Sequence, residues 1–412
     1  MSFDFKYRYK IGVISFIVIA VLFLSKCVNK KTDNTDSLSY TSYAGSDKCM
    51  SCHKDIYDSH IKTAHYLTGR PATENSVMGS FEKDHNSHSY SPELNVSMEK
   101  RDSGMYQVVH FRGEEKMAMK FDYTIGSGVM GQSFLTWRND KLYQMPVTYF
   151  TAAAQWSNSP GFPINKVGID KVITARCLEC HMTYAEGAGG TELEPASFNK
   201  NSIIFGVDCE KCHGPAAEHV SFHTKNPTDT SAKFIVNPSA LSRTKQLDVC
   251  ALCHAGNISK TKPSFSFTAG NDLADHFSIT ELNNTAVNTG NIDVHGNQFG
   301  LLKSSKCFLK SSTLTCNSCH NTHENERGHL EIFSKRCISC HKTEEAAFKS
   351  ITHNSVTAIE KNCIDCHMPS QPSRAIAVFL EGRETPVASL LRTHFIGIYP
   401  DQTEKFKTQL PK

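Results

Sequence analysis

Cys209-Glu210-Lys211-Cys212-His213 places two cysteines three positions apart, with a histidine directly after the second. The same C-x-x-C-H spacing recurs at Cys49–His53, Cys177–His181, Cys250–His254, Cys316–His320, Cys337–His341 and Cys363–His367. The seven copies use fourteen of the sixteen cysteines. The spacing suits covalent haem: each thiol adds to one vinyl group of the porphyrin, and the adjacent imidazole then lies under the iron. Paired C-x-x-C units also build zinc ribbons, but zinc does not require a histidine after the second cysteine. With histidine at roughly 5% of the chain, seven chance matches in seven have a probability on the order of one in a billion. Disulfides in an exported chain would explain neither the fixed spacing nor the histidine. The expected cofactors are therefore seven haem c. They are attached through Cys49, Cys52, Cys177, Cys180, Cys209, Cys212, Cys250, Cys253, Cys316, Cys319, Cys337, Cys340, Cys363 and Cys366, with proximal iron ligands His53, His181, His213, His254, His320, His341 and His367.

Composition supports this reading. Only 39% of the 412 residues are hydrophobic, which is thin for a large aliphatic core. Seven porphyrins would supply the missing apolar volume. The net charge of +3, from 44 basic and 41 acidic residues, argues against nucleic acid as a partner. Haem attachment by thioethers happens outside the cytoplasm, so an export signal is expected. Lys6, Arg8 and Lys10 precede an apolar run from Ile11 to Ser25. That run suits a signal-peptide core better than a spanning helix, which needs about twenty residues. Cys27 follows as a lipidation candidate, although Lys26 stands where a small residue is expected. A lipoprotein, an uncleaved anchor and ordinary cleavage all remain open.

The reading divides the chain into a signal peptide or anchor at 1–27, a polar linker at 28–42, a first haem segment at 43–70, a β-rich insert at 71–175, a six-haem domain at 176–395 and a tail at 396–412. The first two motifs are 128 residues apart, against 21 to 66 for the later gaps. Within the long gap, Met105–Phe111, Lys116–Ile125, Gln132–Trp137 and Lys141–Phe150 read as strands separated by turn residues. The Trp156–Pro163 patch reads as a packed loop or as a wall of a haem pocket. Lys54–Thr68 and Ile376–Leu391 read as helices. The expected fold is thus mainly α, with extensive loops wrapped around seven covalent haems and a small antiparallel β insert between the first and second.

The run Gly45-Ser46-Asp47-Lys48-Cys49, its motif, and Ser59 to His65 resemble the opening of c-554-type multihaem cytochromes. In that family a histidine about a dozen residues beyond the first motif is a distal iron ligand, and His65 matches best, ahead of His60. His219, after Cys212-His213-Gly214-Pro215, resembles the family's second distal segment. Position adds other candidates. His323 lies one helical turn from His320 and would serve a neighbouring haem, and His394 would fold back from near the C-terminus. His295 and His353 follow. His85, His88, His110, His223, His276 and His329 read as ordinary histidines. Met182 and Met368 read as packing residues, and Cys307 as a buried thiol.

Haems close in sequence usually lie close in space. The resemblance therefore implies a heptahaem electron-transfer protein of a bacterial respiratory chain. Its redox partners would be a membrane quinol-oxidising complex or other cytochromes. It would sit on the periplasmic side of a membrane, held through its N-terminus by a helix or lipid, with the outer membrane as a further option. The competing reading is an oxidoreductase acting on nitrite, hydroxylamine or sulfite at one open haem. No catalytic residue is assigned, and whether the chain is an enzyme is left open. The C-x-x-C-K motif of nitrite reductases is absent.

Overall fold

The computed structural model describes residues 38–188, 197–256, 258–279, 297–341 and 362–409. Cys27, the apolar run before it, His295 and His353 lie outside these residues. Among the described residues, no helix is long and apolar enough to cross a membrane.

Strands begin at Gly69, after the short helix that follows the first motif. Two antiparallel sheets form from β1 (Gly69–Pro71), β2 (Ser87–Ser91), β3 (Leu94–Arg101), β4 (Gly104–Phe111), β5 (Glu114–Lys120), β6 (Tyr123–Ile125), β7 (Gly131–Arg138), β8 (Lys141–Gln144), β9 (Val147–Phe150) and β10 (Gln155–Asn158). One sheet is the meander β2-β3-β4-β5; the other runs β1-β6-β7-β9-β10, with β8 also on β7. Alternation decides which side chains go inward: Val96 and Met98 of β3, Met105 and Val109 of β4, and Phe134 of β7 meet Val147 and Trp156 in one buried cluster. The sheets are also joined by a side chain that imitates backbone. Gln107 of β4 is fully buried. Its Nε2 donates to the Val147 carbonyl at 2.7 Å, and its Oε1 accepts from the Val147 N–H at 3.1 Å. Two of the expected strands prove divided: Asp122 separates β5 from β6, and Pro146 interrupts the run from β8 to β9.

The mainly α expectation is wrong. Helix and strand contribute near-equal shares, 29% and 28%. Three further hairpins stand between or after the attachment motifs: β11 (Met182–Ala188) with β12 (Ser197–Phe205), β13 (Ile258–Lys260) with β14 (Phe277–Ile279), and β15 (Ser370–Val378) with β16 (Val387–Arg392). The last covers the segment expected as the helix Ile376–Leu391. Its turn lies at Glu381-Gly382-Arg383, where Gly382 has φ +72°, and branched residues such as Ile376, Val378 and Val387 favour the pleated surface. The expected helix at Lys54–Thr68 stops at His60, followed by a short 3-10 turn at Tyr66–Thr68. The motifs themselves are helical for only a turn or two, and the longest helix among the described residues, Arg243–His254, has 12 residues.

Gly206 shows how tightly the haem-bearing part is joined. Its φ is +67°, and a Cβ there would lie 2.1 Å from the Tyr66 carbonyl oxygen. The next N–H, of Val207, donates to the His65 carbonyl at 2.9 Å. Gly206→Ala is expected to lower stability by roughly 2–3 kcal/mol, from left-handed backbone strain plus overpacking. Denaturant unfolding measures it, and a loss within experimental scatter of zero would show that the backbone can move aside.

Candidate haem cavity

Every attachment motif opens into one cavity of about 3120 Å³. An ordinary small-molecule pocket reaches ~1,000 Å³ at most. His53, His181, His213, His254, His320, His341 and His367 all line it.

Histidine rings face each other across this cavity at a recurring spacing. The ring centroids of His65 and His254 are 6.2 Å apart. Those of His213 and His323 are 6.1 Å apart, as are those of His320 and His394. A ligating imidazole nitrogen sits about 2 Å from its metal, so two rings bound to opposite faces of one iron have centroids roughly 6 Å apart. Each pair joins a motif histidine to one outside any motif, and the residues fit a haem iron between them.

Local chemistry prepares the rings. Burial pushes His65 and His394 down to about 4, so both are neutral at pH 7, the form that binds iron. Burial also lowers His213, His320 and His323. The Nδ1 of His213 donates to the Val236 carbonyl at 2.8 Å, and that of His367 to the Gly397 carbonyl at 2.8 Å. Such a bond fixes the tautomer and leaves Nε2 for the metal. His219 is held the same way by the Lys233 carbonyl at 2.8 Å. His219 lines the cavity and lies within electrostatic reach of His213.

His60 and His223 stand apart from these pairs. His60 is buried, and its nitrogens face the carbonyls of Thr322 at 3.3 Å and Val207 at 3.1 Å. It thereby bridges the approach to the third motif and the segment just after the fifth. His223, read from sequence as ordinary, lines the cavity beside His219 with centroids 4.5 Å apart. Its Nε2 is buried without a hydrogen-bond partner. The i, i+4 spacing of the two histidines on the helix Ala217–Lys225 was the available signal. His88, His110 and His276 lie away from the cavity; His276 is hydrogen-bonded to Ser266 at 2.9 Å. Cys307 lines the cavity near Cys340, and Met182 is fully buried.

Thiols of different motifs also meet. The thiols of Cys49 and Cys209, of Cys180 and Cys253, of Cys250 and Cys316, and of Cys337 and Cys363 perturb one another's titration, so different motifs lie near each other. Cys212 lies within reach of Cys250, and Cys319 of Cys340. The first motif is fixed to the third by Glu210. Its buried carboxylate accepts the N–H groups of Ala44 at 2.8 Å, Gly45 at 2.9 Å and Ala216 at 2.8 Å.

Repeated paired cysteines with adjacent histidines, converging on one cavity, are the signature of a multihaem c-type cytochrome. Residues 148–214, which hold the second and third motifs, match the family model described as cytochrome c554 and c-prime. The fold is similar to that of the outer cell wall cytochrome OcwA, with a TM-score of 0.52 at 15% identity over 89% of this chain and 82% of that one. No curated protein matches the chain.

Proposed function

We propose that the chain carries seven haem c groups and passes electrons along them in a bacterial envelope. The carrying observation is the set of three imidazole pairs, 6.1 to 6.2 Å apart, inside a cavity to which every motif contributes. In this reading His254 and His65, His213 and His323, and His320 and His394 hold three irons from both faces. Bound haem supplies an iron that alternates between ferrous and ferric states; imidazoles on both faces keep it low-spin and favour a low potential. His219 and His223 are the described candidates for a further iron, with His295 and His353 beyond the described residues.

The thiol contacts support a motif order that differs from chain order: first, third, fourth, fifth, sixth, seventh, with the second branching from the fourth. A membrane quinol-oxidising complex or another cytochrome serves as redox partner, and the N-terminus, through its apolar run or Cys27, tethers the domain to a membrane. The similarity to an outer cell wall cytochrome is in keeping with a place outside the cytoplasm.

One observation favours the second reading, a reductase or oxidase of a small nitrogen or sulfur compound. Thr68 touches His181 Nδ1 through its hydroxyl at 2.9 Å, and its carbonyl accepts the Gly126 N–H at 2.7 Å. This sets the second motif beside the insert. There Ser127, Gln132, Ser133, Thr148 and Tyr149 line the cavity, and no lining residue of the insert is a histidine. Such a wall offers polar groups without a histidine.

Two measurements on the purified chain test both readings. Intact mass and the pyridine haemochrome should give seven haems per chain; fewer would reject the count. With all irons low-spin, carbon monoxide leaves the reduced spectrum unchanged, and the carrier reading holds. One high-spin iron that binds carbon monoxide transfers the weight to the enzyme.

A further inference from the structure

Two of the seven motifs are preceded immediately by arginine: Arg176 before Cys177 and Arg336 before Cys337. In both cases the guanidinium reaches the backbone of a different motif. Arg176 donates from Nη2 to the Leu252 carbonyl, inside the fourth motif, at 2.8 Å. Arg336 donates from Nη1 to the carbonyl of Cys319, in the fifth, at 2.8 Å. Each arginine also holds a buried carboxylate. Glu179 lies 3.0 Å from Arg176, with its side chain 1% exposed. Its other oxygen accepts the Phe265 N–H at 2.7 Å. Glu326 accepts from Arg336 at 2.8 Å and from the Asn321 N–H at 3.0 Å. Rings back both guanidiniums, Phe277 at 4.9 Å and Phe333 at 5.6 Å.

We infer that Arg176 and Arg336 are positioning residues that fix neighbouring attachment sites and, through their paired glutamates, set the relative potentials of those sites: second against fourth, and fifth against sixth. The inference rests on the proposal that these motifs carry haem. The argument is electrostatic. Arg176 is within reach of the thiols of both Cys180 and Cys253, and Arg336 of that of Cys319. A fixed cation favours the reduced, less positive state of a nearby site; a fixed carboxylate opposes that effect. In a partly buried setting such charges are poorly screened. The exchange they bias moves one electron, lost by one site and gained by its neighbour, with no proton or ligand transferred.

The test is a spectroelectrochemical titration of the fully loaded chain and its variants, with covalent haem counted by mass on the same samples. Arg176→Gln should lower the midpoint potential of two of the haems. Glu179→Gln, which leaves the guanidinium uncompensated, should raise it. Each shift should correspond to roughly a tenfold change in the one-electron equilibrium constant, about 59 mV. Arg176→Lys should stay near the wild type in potential. Shifts of the same sign in Arg176→Gln and Glu179→Gln, or no shift in either at full haem content, would overturn the inference. Should Arg176→Gln fail to fold, Glu179→Gln and Arg336→Gln decide it by the same criterion of sign. A wild-type chain lacking haem at these motifs would instead reject the underlying proposal.

Discussion

Glu210→Ala should lose about 3–6 kcal/mol of stability, the largest effect expected of any single substitution outside the haem ligands. The side chain occupies the motif that opens the sequence reading, yet its work is done elsewhere. Its carboxylate collects N–H groups from Ala44 and Gly45, just ahead of the first motif, and from Ala216, just after the third. Alanine leaves three donors unpaired in a buried setting, at about 1–3 kcal/mol each, with water recovering part of the loss. Glu210→Gln is the control. One amide oxygen can still accept from both Ala44 and Ala216, which share Oε1, while the Gly45 bond is lost, so the loss should fall to about 1–2 kcal/mol. Denaturant unfolding followed by haem absorbance, with limited proteolysis near residue 45, measures both variants. Equal stability of Glu210→Ala and wild type would mean that the first motif is held by its haem and not by this carboxylate.

His65→Ala should convert one low-spin haem into a high-spin, carbon-monoxide-binding haem without changing the number attached. Attachment at the fourth motif depends on Cys250, Cys253 and His254, which the substitution leaves alone. What disappears is the ring facing His254 at 6.2 Å. EPR of the oxidised protein should gain one equivalent of high-spin iron. His60→Ala is the decisive companion. It lies five residues away, but its nitrogens face the carbonyls of Thr322 and Val207. It should reduce stability and leave every spin state unchanged. If His60→Ala gave the high-spin signal and His65→Ala did not, the pairing drawn from the ring geometry would be reversed.

The attachment motifs stand out in the sequence because covalent chemistry demands a fixed local spacing, and local spacing is what a sequence displays. The ring pairs were not legible in that way. His65 and His254, His213 and His323, and His320 and His394 are far apart along the chain, so their meeting depends on how separate motifs pack. His223 was overlooked for a related reason: only its burial and its unpartnered nitrogen set it apart from a surface histidine on a polar helix. The insert was read correctly as antiparallel β where turn residues divide it. Its Ser-rich strand β2 was missed, because Ser87, Ser89 and Ser91 look like loop. The helical expectation for the haem-bearing part failed at residues 370–392. There a period of 3.6 was assigned to a stretch whose branched residues pair across a turn at Gly382.

The thiol contacts between motifs have a consequence for biogenesis. Cys49 lies against Cys209, Cys180 against Cys253, Cys250 against Cys316, and Cys337 against Cys363. In each pair the second cysteine is synthesised after the first, by 160, 73, 66 and 26 residues respectively. A polypeptide that closed around these contacts with its thiols still free would hold four facing pairs ready to oxidise in any compartment that favours disulfides. Should the motifs carry thioether-bound haem as proposed, attachment at each would have to run ahead of closure. Maturation is then a race between the attachment machinery and the chain's own collapse, and slow late steps in folding protect the product.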